Sequence, residues 1–304
     1  MRLFSLAFIA ALIFPASASA SAACLLPAPG QTAMVPVTSE DGMQTLVHTP
    51  KGYDPARGPV PLVFLLHGSG GTGAAMLRDS KLAETADAHG FILVAPDAGI
   101  PLERGYAWNI PGVPTVAGEV PGPDERDDVE FIASIADELT QGGCADPARV
   151  YATGLSGGGR MTSWLGCVAS TRYAAIAPVV GLRAGRARRE DMAQVDPETC
   201  TPENPMPVLA FNGLKDHTNP LAGGQGMRWG YSMHAAEQRW AQINACRAAP
   251  TTSWVDHDTY EERYGDCADG TVVASRIDVN GGHSWVVDNE AMWAFFERYR
   301  REAH

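Results

Sequence analysis

The feature that most constrains this chain is an ordered series of short apolar runs, each closed by glycine or aspartate. They are "VPLVFLLHG" (60–68), "FILVAPD" ending at Asp97, "RVYATG" ending at Gly154, "YAAIAPVVG" (173–181), "PVLAFNG" (207–213) and "TVVASRIDVNGG" (271–282). Their length and unbroken apolar character predict strands buried on both faces. An earlier strand is expected in "MQTLVHTP" (43–50), and a Pro- and Gly-rich loop over 98–123. Helical patterns fall between the runs, at about 76–88, 127–139, 157–170 and 289–300. The second of these, "DDVEFIASIADEL", has acidic residues in its first turn, where the helix dipole favours them. Strands and helices in alternation predict an α/β fold, a mostly parallel central sheet with helices on both faces. Ligands of such sheets bind beyond the carboxyl ends of the strands, so the residues following each run are the candidates for function.

The start of the chain reads as an export signal. Arg2 precedes an apolar stretch over 3–14, Pro15 breaks it, and A-x-A patterns end at Ala18, Ala20 and Ala22. The expectation is a signal peptide over 1–22, a single domain over 23–304, and a secreted or periplasmic protein. No later segment approaches the ~20 apolar residues of a membrane span. "SAAC" also resembles a lipid-attachment site at Cys24, but Ser21 stands where an aliphatic residue is usual. Six cysteines, an even set, suit disulfides in an oxidising compartment. None lies in a C-x-x-C pair, which argues against a zinc site. The net charge of −12 argues against a nucleic-acid partner. The one basic run, "RAGRARRE" (183–190), reads as a solvated insertion.

At the strand ends the chemistry becomes specific. Gly154-Leu155-Ser156-Gly157-Gly158 fits G-x-S-x-G between a strand and a helix, the setting of a nucleophile elbow. A serine hydroxyl needs a base and an acid to orient that base, and in this fold the chain order is Ser, acid, His. His283 lies in "VNGGHSW" after the last strand, and Asp216 in "NGLKDHTNP" three residues past another. Asp97 is the rival acid, but it precedes Ser156 and reads as a turn residue. Amide donors for an oxyanion are expected at Gly157 and at Ser69 in "HGSGGTG" (67–73), with His67 buttressing that loop. No G-x-x-x-x-G-K-[ST] pattern makes the loop a phosphate cradle.

These segments together resemble the secreted α/β-hydrolases of the polyhydroxybutyrate depolymerase-like group, which includes feruloyl and acetylxylan esterases of carbohydrate esterase family 1. The resemblance covers about 60–285. It implies an α/β-hydrolase fold with small loop insertions over the site. It also implies hydrolysis of small or oligomeric carboxylic esters through an acyl-enzyme, with no metal or cofactor. Ser156, Asp216 and His283 fall on the family's triad positions, and Ser69 and Gly157 on its oxyanion positions. The chain departs from the family where Gly157 replaces a common alanine, Asn212 a histidine and Asn219 a valine, and where "WVV" stands in place of Trp-Pro-Gly.

Trp108 and Trp285 are expected to wall the substrate pocket, and segments 182–205 and 217–231 to rim it. The family often pairs cysteines at the positions of Cys246 and Cys267. The lengths of strand and helix suggest Cys144 with Cys167, which leaves Cys24 with Cys200. Two other readings compete: a peptidase on the same fold, which would often carry an added domain, and a non-catalytic binding protein, whose mark would be a broken triad.

Overall fold

The computed structural model describes residues 25–36 and 43–301. The expected signal segment and Cys24 lie outside them. The strands in chain order are β1 (Thr32–Pro36), β2 (Gln44–His48), β3 (Val60–Leu66), β4 (Ile92–Ala95), β5 (Ile100–Pro101), β6 (Tyr106–Ala107), β7 (Ala145–Leu155), β8 (Ala175–Val179), β9 (Val208–Gly213), β10 (Thr251–Trp254), β11 (Thr259–Tyr264) and β12 (Val273–Asp278). The helices are α1 (Gly73–Ser80), α2 (Leu82–His89), α3 (Asp128–Gln141), α4 (Gly157–Val168), α5 (Gly226–Trp229), α6 (Met233–Ile243) and α7 (Asn289–Phe296). Ten strands make one sheet in the order β1-β2-β4-β3-β7-β8-β9-β12-β11-β10, and β5 pairs with β6 apart from it. The six central strands, β4 to β12, are parallel, and antiparallel pairs finish both edges.

The unbroken apolar runs are explained by the two faces of this sheet. Along β3, Leu62, Phe64 and Leu66 join a core completed by Phe131 of α3, Leu165 of α4 and Trp240 of α6. Val63 and Leu65 point the other way, into a core with Met76 of α1, Leu82 of α2 and Phe296 of α7. A side-chain period of two thus feeds two hydrophobic layers from one strand.

The structure refines several expectations. The helix expected over 76–88 is two helices, broken at Lys81, which has a left-handed φ of 55°. The strands β1, β10 and β11 and the helix α6 carry too little apolar periodicity to be anticipated. β10 is exposed at every position and β1 at all but one, so neither needs a buried face.

The disulfides correct two pairings. Cys167 is bonded to Cys200, not Cys144, and Cys200 is therefore not paired with Cys24. The reason is the path of the chain after β8. It returns over the end of α4, where the Asn204 amide donates to Ser170 Oγ at 3.1 Å, and so carries Cys200 to the last turn of that helix. Cys144 is itself disulfide-bonded. Cys246–Cys267 forms as expected and closes the excursion containing β10 and β11. Among the described residues, no helix is long and apolar enough to cross a membrane.

Candidate active site

β7 ends at Leu155 and α4 begins at Gly157, leaving Ser156 alone at the junction with φ 55° and ψ −109°. A positive φ is costly for a side-chain-bearing residue and persists only where surroundings enforce it. Here the enforcement is crowding. A Cβ at Gly158 would lie 2.1 Å from the Leu66 carbonyl oxygen, so α4 can start this close to β3 only with glycine there. Ser156 sits at the positive end of α4, its hydroxyl held above the sheet.

Three predicted residues meet at this point. His283 Nε2 lies 2.8 Å from Ser156 Oγ, and His283 Nδ1 lies 2.7 Å from Asp216 Oδ2. The carboxylate accepts the Nδ1 proton, which leaves Nε2 free to accept from the serine hydroxyl. Asp216 is 3% exposed, and its other oxygen accepts from the Thr218 and Asn219 amides, each at 2.8 Å. Burial alone would raise its pKa. The bonds from His283, Asn219 and Thr218 outweigh burial and hold the carboxyl below its usual range. The rival acid Asp97 is occupied elsewhere, accepting from the Gly73 amide at the start of α1 at 2.6 Å.

The glycine loop after β3 reaches the same place. Its Gly70 and Gly71 amides are spent on the carbonyls of Tyr106 and Gly68, whereas Ser69 N has no such backbone acceptor among the described residues. Gly157 N belongs to the unsatisfied first turn of α4. A Cβ on Gly157 would stand 3.0 Å from Ser69 N and 2.4 Å from Ser69 Oγ, so the two residues are in contact. The glycine loop and the start of α4 thus touch beside the Ser156–His283 pair, and amides free at that place can hold an oxyanion while a proton moves.

His67 buttresses this loop. Its Nδ1 donates to the Gly68 carbonyl at 2.8 Å, and its Nε2 accepts from the Ala98 amide at 3.0 Å. Burial pushes its pKa down against the pull of the Gly68 carbonyl. Trp108 packs on the His67 ring, donates to the His67 carbonyl at 2.7 Å and is 4% exposed. It braces the loop and also lines a narrow cleft beside Ser69 and Gly157. Trp285 instead lines the open cleft that contains His283, Leu155 and the glycine loop.

The sequence reading missed a second group of residues. Arg183, expected in a solvated insertion, is 6% exposed, and that expectation is overturned. Its Nη2 donates to Asn219 Oδ1 at 2.9 Å and its Nη1 to the Leu182 carbonyl at 2.7 Å. Asn219 Nδ2 donates to the Val180 carbonyl at 2.6 Å, and the Val180 amide to Phe211 at 2.7 Å. These bonds hold Val180 at φ 41°, a strained value for a β-branched residue. The valine-to-asparagine departure therefore ties the Asp216 loop to Arg183. Arg160 was also unflagged, although a signal existed: it lies four residues past Ser156, on the same side of α4.

A serine, imidazole and carboxylate in this series, at the strand ends of a mostly parallel sheet, define an α/β-hydrolase fold with a hydrolase-type triad. Comparison with known proteins agrees with that class. The chain is 29% identical to feruloyl esterase B of Piromyces equi over 84% of its own length and 45% of that protein's. It is 30% identical to poly(3-hydroxyalkanoate) depolymerase C of Paucimonas lemoignei over 47% of its own length and 32% of that protein's. Among solved structures, acetyl xylan esterase from Aspergillus awamori superposes with a TM-score of 0.64 at 16% identity, covering 88% of this chain and 99% of that one. The chain thus spans under half the length of these two sequence relatives, while matching the solved fold nearly end to end. No family model matches.

Proposed function

We propose that the protein is a serine carboxylic ester hydrolase that works through an acyl-enzyme. Ser156 Oγ attacks the ester carbonyl as His283 Nε2 takes its proton, and the Ser69 and Gly157 amides hold the oxyanion. Collapse breaks the ester bond, and His283 returns the proton to the departing alcohol. Water then attacks the acyl-enzyme by the same route in reverse. Asp216 keeps His283 in the Nδ1–H tautomer and stabilises the imidazolium.

The observation that carries this reading is the unbroken series Ser156–His283–Asp216, at 2.8 and 2.7 Å, with Ser156 held at the elbow. The names of the relatives favour small feruloyl, acetyl-sugar or short hydroxyalkanoate esters as substrates. The disulfides favour action in an oxidising compartment after export. The test is a panel of p-nitrophenyl acyl esters, methyl ferulate, acetylxylan and hydroxybutyrate oligomers, run on wild type and Ser156→Ala. Turnover is expected to fall by about 10⁴-fold or more in the variant. Undiminished turnover in Ser156→Ala would overturn the mechanism, and peptide cleavage without ester cleavage would overturn the class.

A further inference from the structure

Beside the oxyanion amides, the molecule buries positive charge with no negative charge to meet it. A narrow cleft has Ser69, Gly157, Arg160 and Arg228 in its wall. It adjoins a second, equally narrow, whose wall adds Arg183 and Arg186 and again includes Arg160 and Arg228. Arg160 is 7% exposed and Arg228 half-buried. Among the described residues, no Asp or Glu forms an ion pair with Arg160, Arg183 or Arg228. The carboxylates of this chain pair with other arginines, as Asp128 does with Arg126 and Glu261 with Arg276.

What the three guanidinium groups share is Trp229, whose ring lies 4.8 Å from Arg160, 4.7 Å from Arg183 and 5.8 Å from Arg228. The ring face attracts cations, but it carries no formal charge to cancel theirs. Arg228 Nε is buried with no hydrogen-bond partner, and Arg160 has no side-chain hydrogen bond to any described residue. Burying like charges together is costly unless something pairs with them. In a chain of net charge −12 the cluster is a local reversal of sign. Burial, and then the mutual repulsion of Arg183 and Arg228, weaken the hold of Arg160 on its proton, as expected of a cation that lacks a partner.

The position of the cluster says which part of a substrate would meet it. The leaving alcohol must depart beside His283, which protonates it, and His283 lies in the other cleft with Trp285. The arginine cleft touches both oxyanion residues and not His283, so it lies on the acyl side. Resting on the ester-hydrolase reading above, we propose that Arg160 and Arg228, with Arg183 behind them, bind a carboxylate at the far end of the acyl group. The preferred substrates are then esters of dicarboxylic acids in which one carboxyl is free. The narrowness of the cleft restricts these to slender, unbranched acyl chains.

The test compares mono-p-nitrophenyl adipate with its methyl ester, which has the same acyl chain without the charge. Wild type is expected to show a kcat/KM about tenfold or more higher for the charged ester, since charged hydrogen bonds are the strong ones. Added salt should shrink that ratio. Arg228→Gln and Arg160→Gln should each lower the charged-to-neutral ratio about tenfold. The half-buried Arg228 carries the test if the Arg160 variant does not fold. A wild-type ratio at or below one would overturn the proposal, as would a ratio unchanged in a variant that keeps the wild-type melting temperature. Failure of the ester-hydrolase reading is separate, because neither ester would then be cleaved. In that case calorimetry of adipate with Ser156→Ala decides: binding that Arg228→Gln abolishes upholds the anion site, and no binding overturns it.

Discussion

Gly157 illustrates how one missing carbon shapes the site. With glycine there, Ser69 Oγ occupies the space that a Cβ would need, and the Ser69 amide stands close behind it. Gly157→Ala must therefore rotate the Ser69 hydroxyl and press on an amide proposed to hold the oxyanion. The expected outcome is about a tenfold loss in kcat/KM, partly recovered in Gly157→Ala/Ser69→Ala, where the hydroxyl is gone. A single variant with full activity, or a double variant no better than the single, would argue against this contact. Asn219 works at the same scale by another means. Its amide serves Asp216 while its side chain serves Arg183 and Val180, so one residue fixes both the triad loop and the arginine group.

Among the elements, α6 raises a question of charge. Its Glu237 is fully buried against β11 and β12, with His234 Nδ1 3.6 Å away and the Glu262 carboxyl close by. Burial, with repulsion from Glu262, pushes the Glu237 carboxyl up to about 8. A folded pKa above the unfolded value means that the folded state binds the extra proton. The stability this gives is present below about pH 4.5 and is lost as pH rises through about 8. Glu237→Gln removes that titration. It should match wild type near pH 5 and exceed it near pH 8.5, by on the order of 3 kcal/mol, in urea unfolding. An equal fall in both proteins would place the pH dependence elsewhere. Neither α6 nor the hairpin of β10 and β11 was legible in the sequence. A half-polar helix and a hairpin whose outer strand is exposed need little apolar periodicity. The six parallel strands, buried on both faces, had to declare themselves.

For the molecule as a whole, Cys167–Cys200 links α4, which carries the proposed nucleophile at its start, to the segment that carries Arg183 and Arg186. A crosslink across 33 residues removes conformational freedom from the unfolded chain. Replacing both cysteines by alanine should cost about 3 kcal/mol in denaturant unfolding. It should also weaken discrimination between charged and neutral esters, if the segment loosens. Unchanged stability would mean that the native packing of 182–205 holds without the bond.

The sequence by itself determined the class of fold and the positions of Ser156, Asp216 and His283. Each sits just past an apolar run, and a strand's carboxyl end is a location that local pattern reveals. Only the tertiary structure decided the partner of Cys167, the inward turn of Arg183, the bracing role of Trp108 and the gathering of three arginines on Trp229. Those depend on how loops far apart in the chain return over the sheet. No local pattern encodes that return, because its register is set by the packing of the whole.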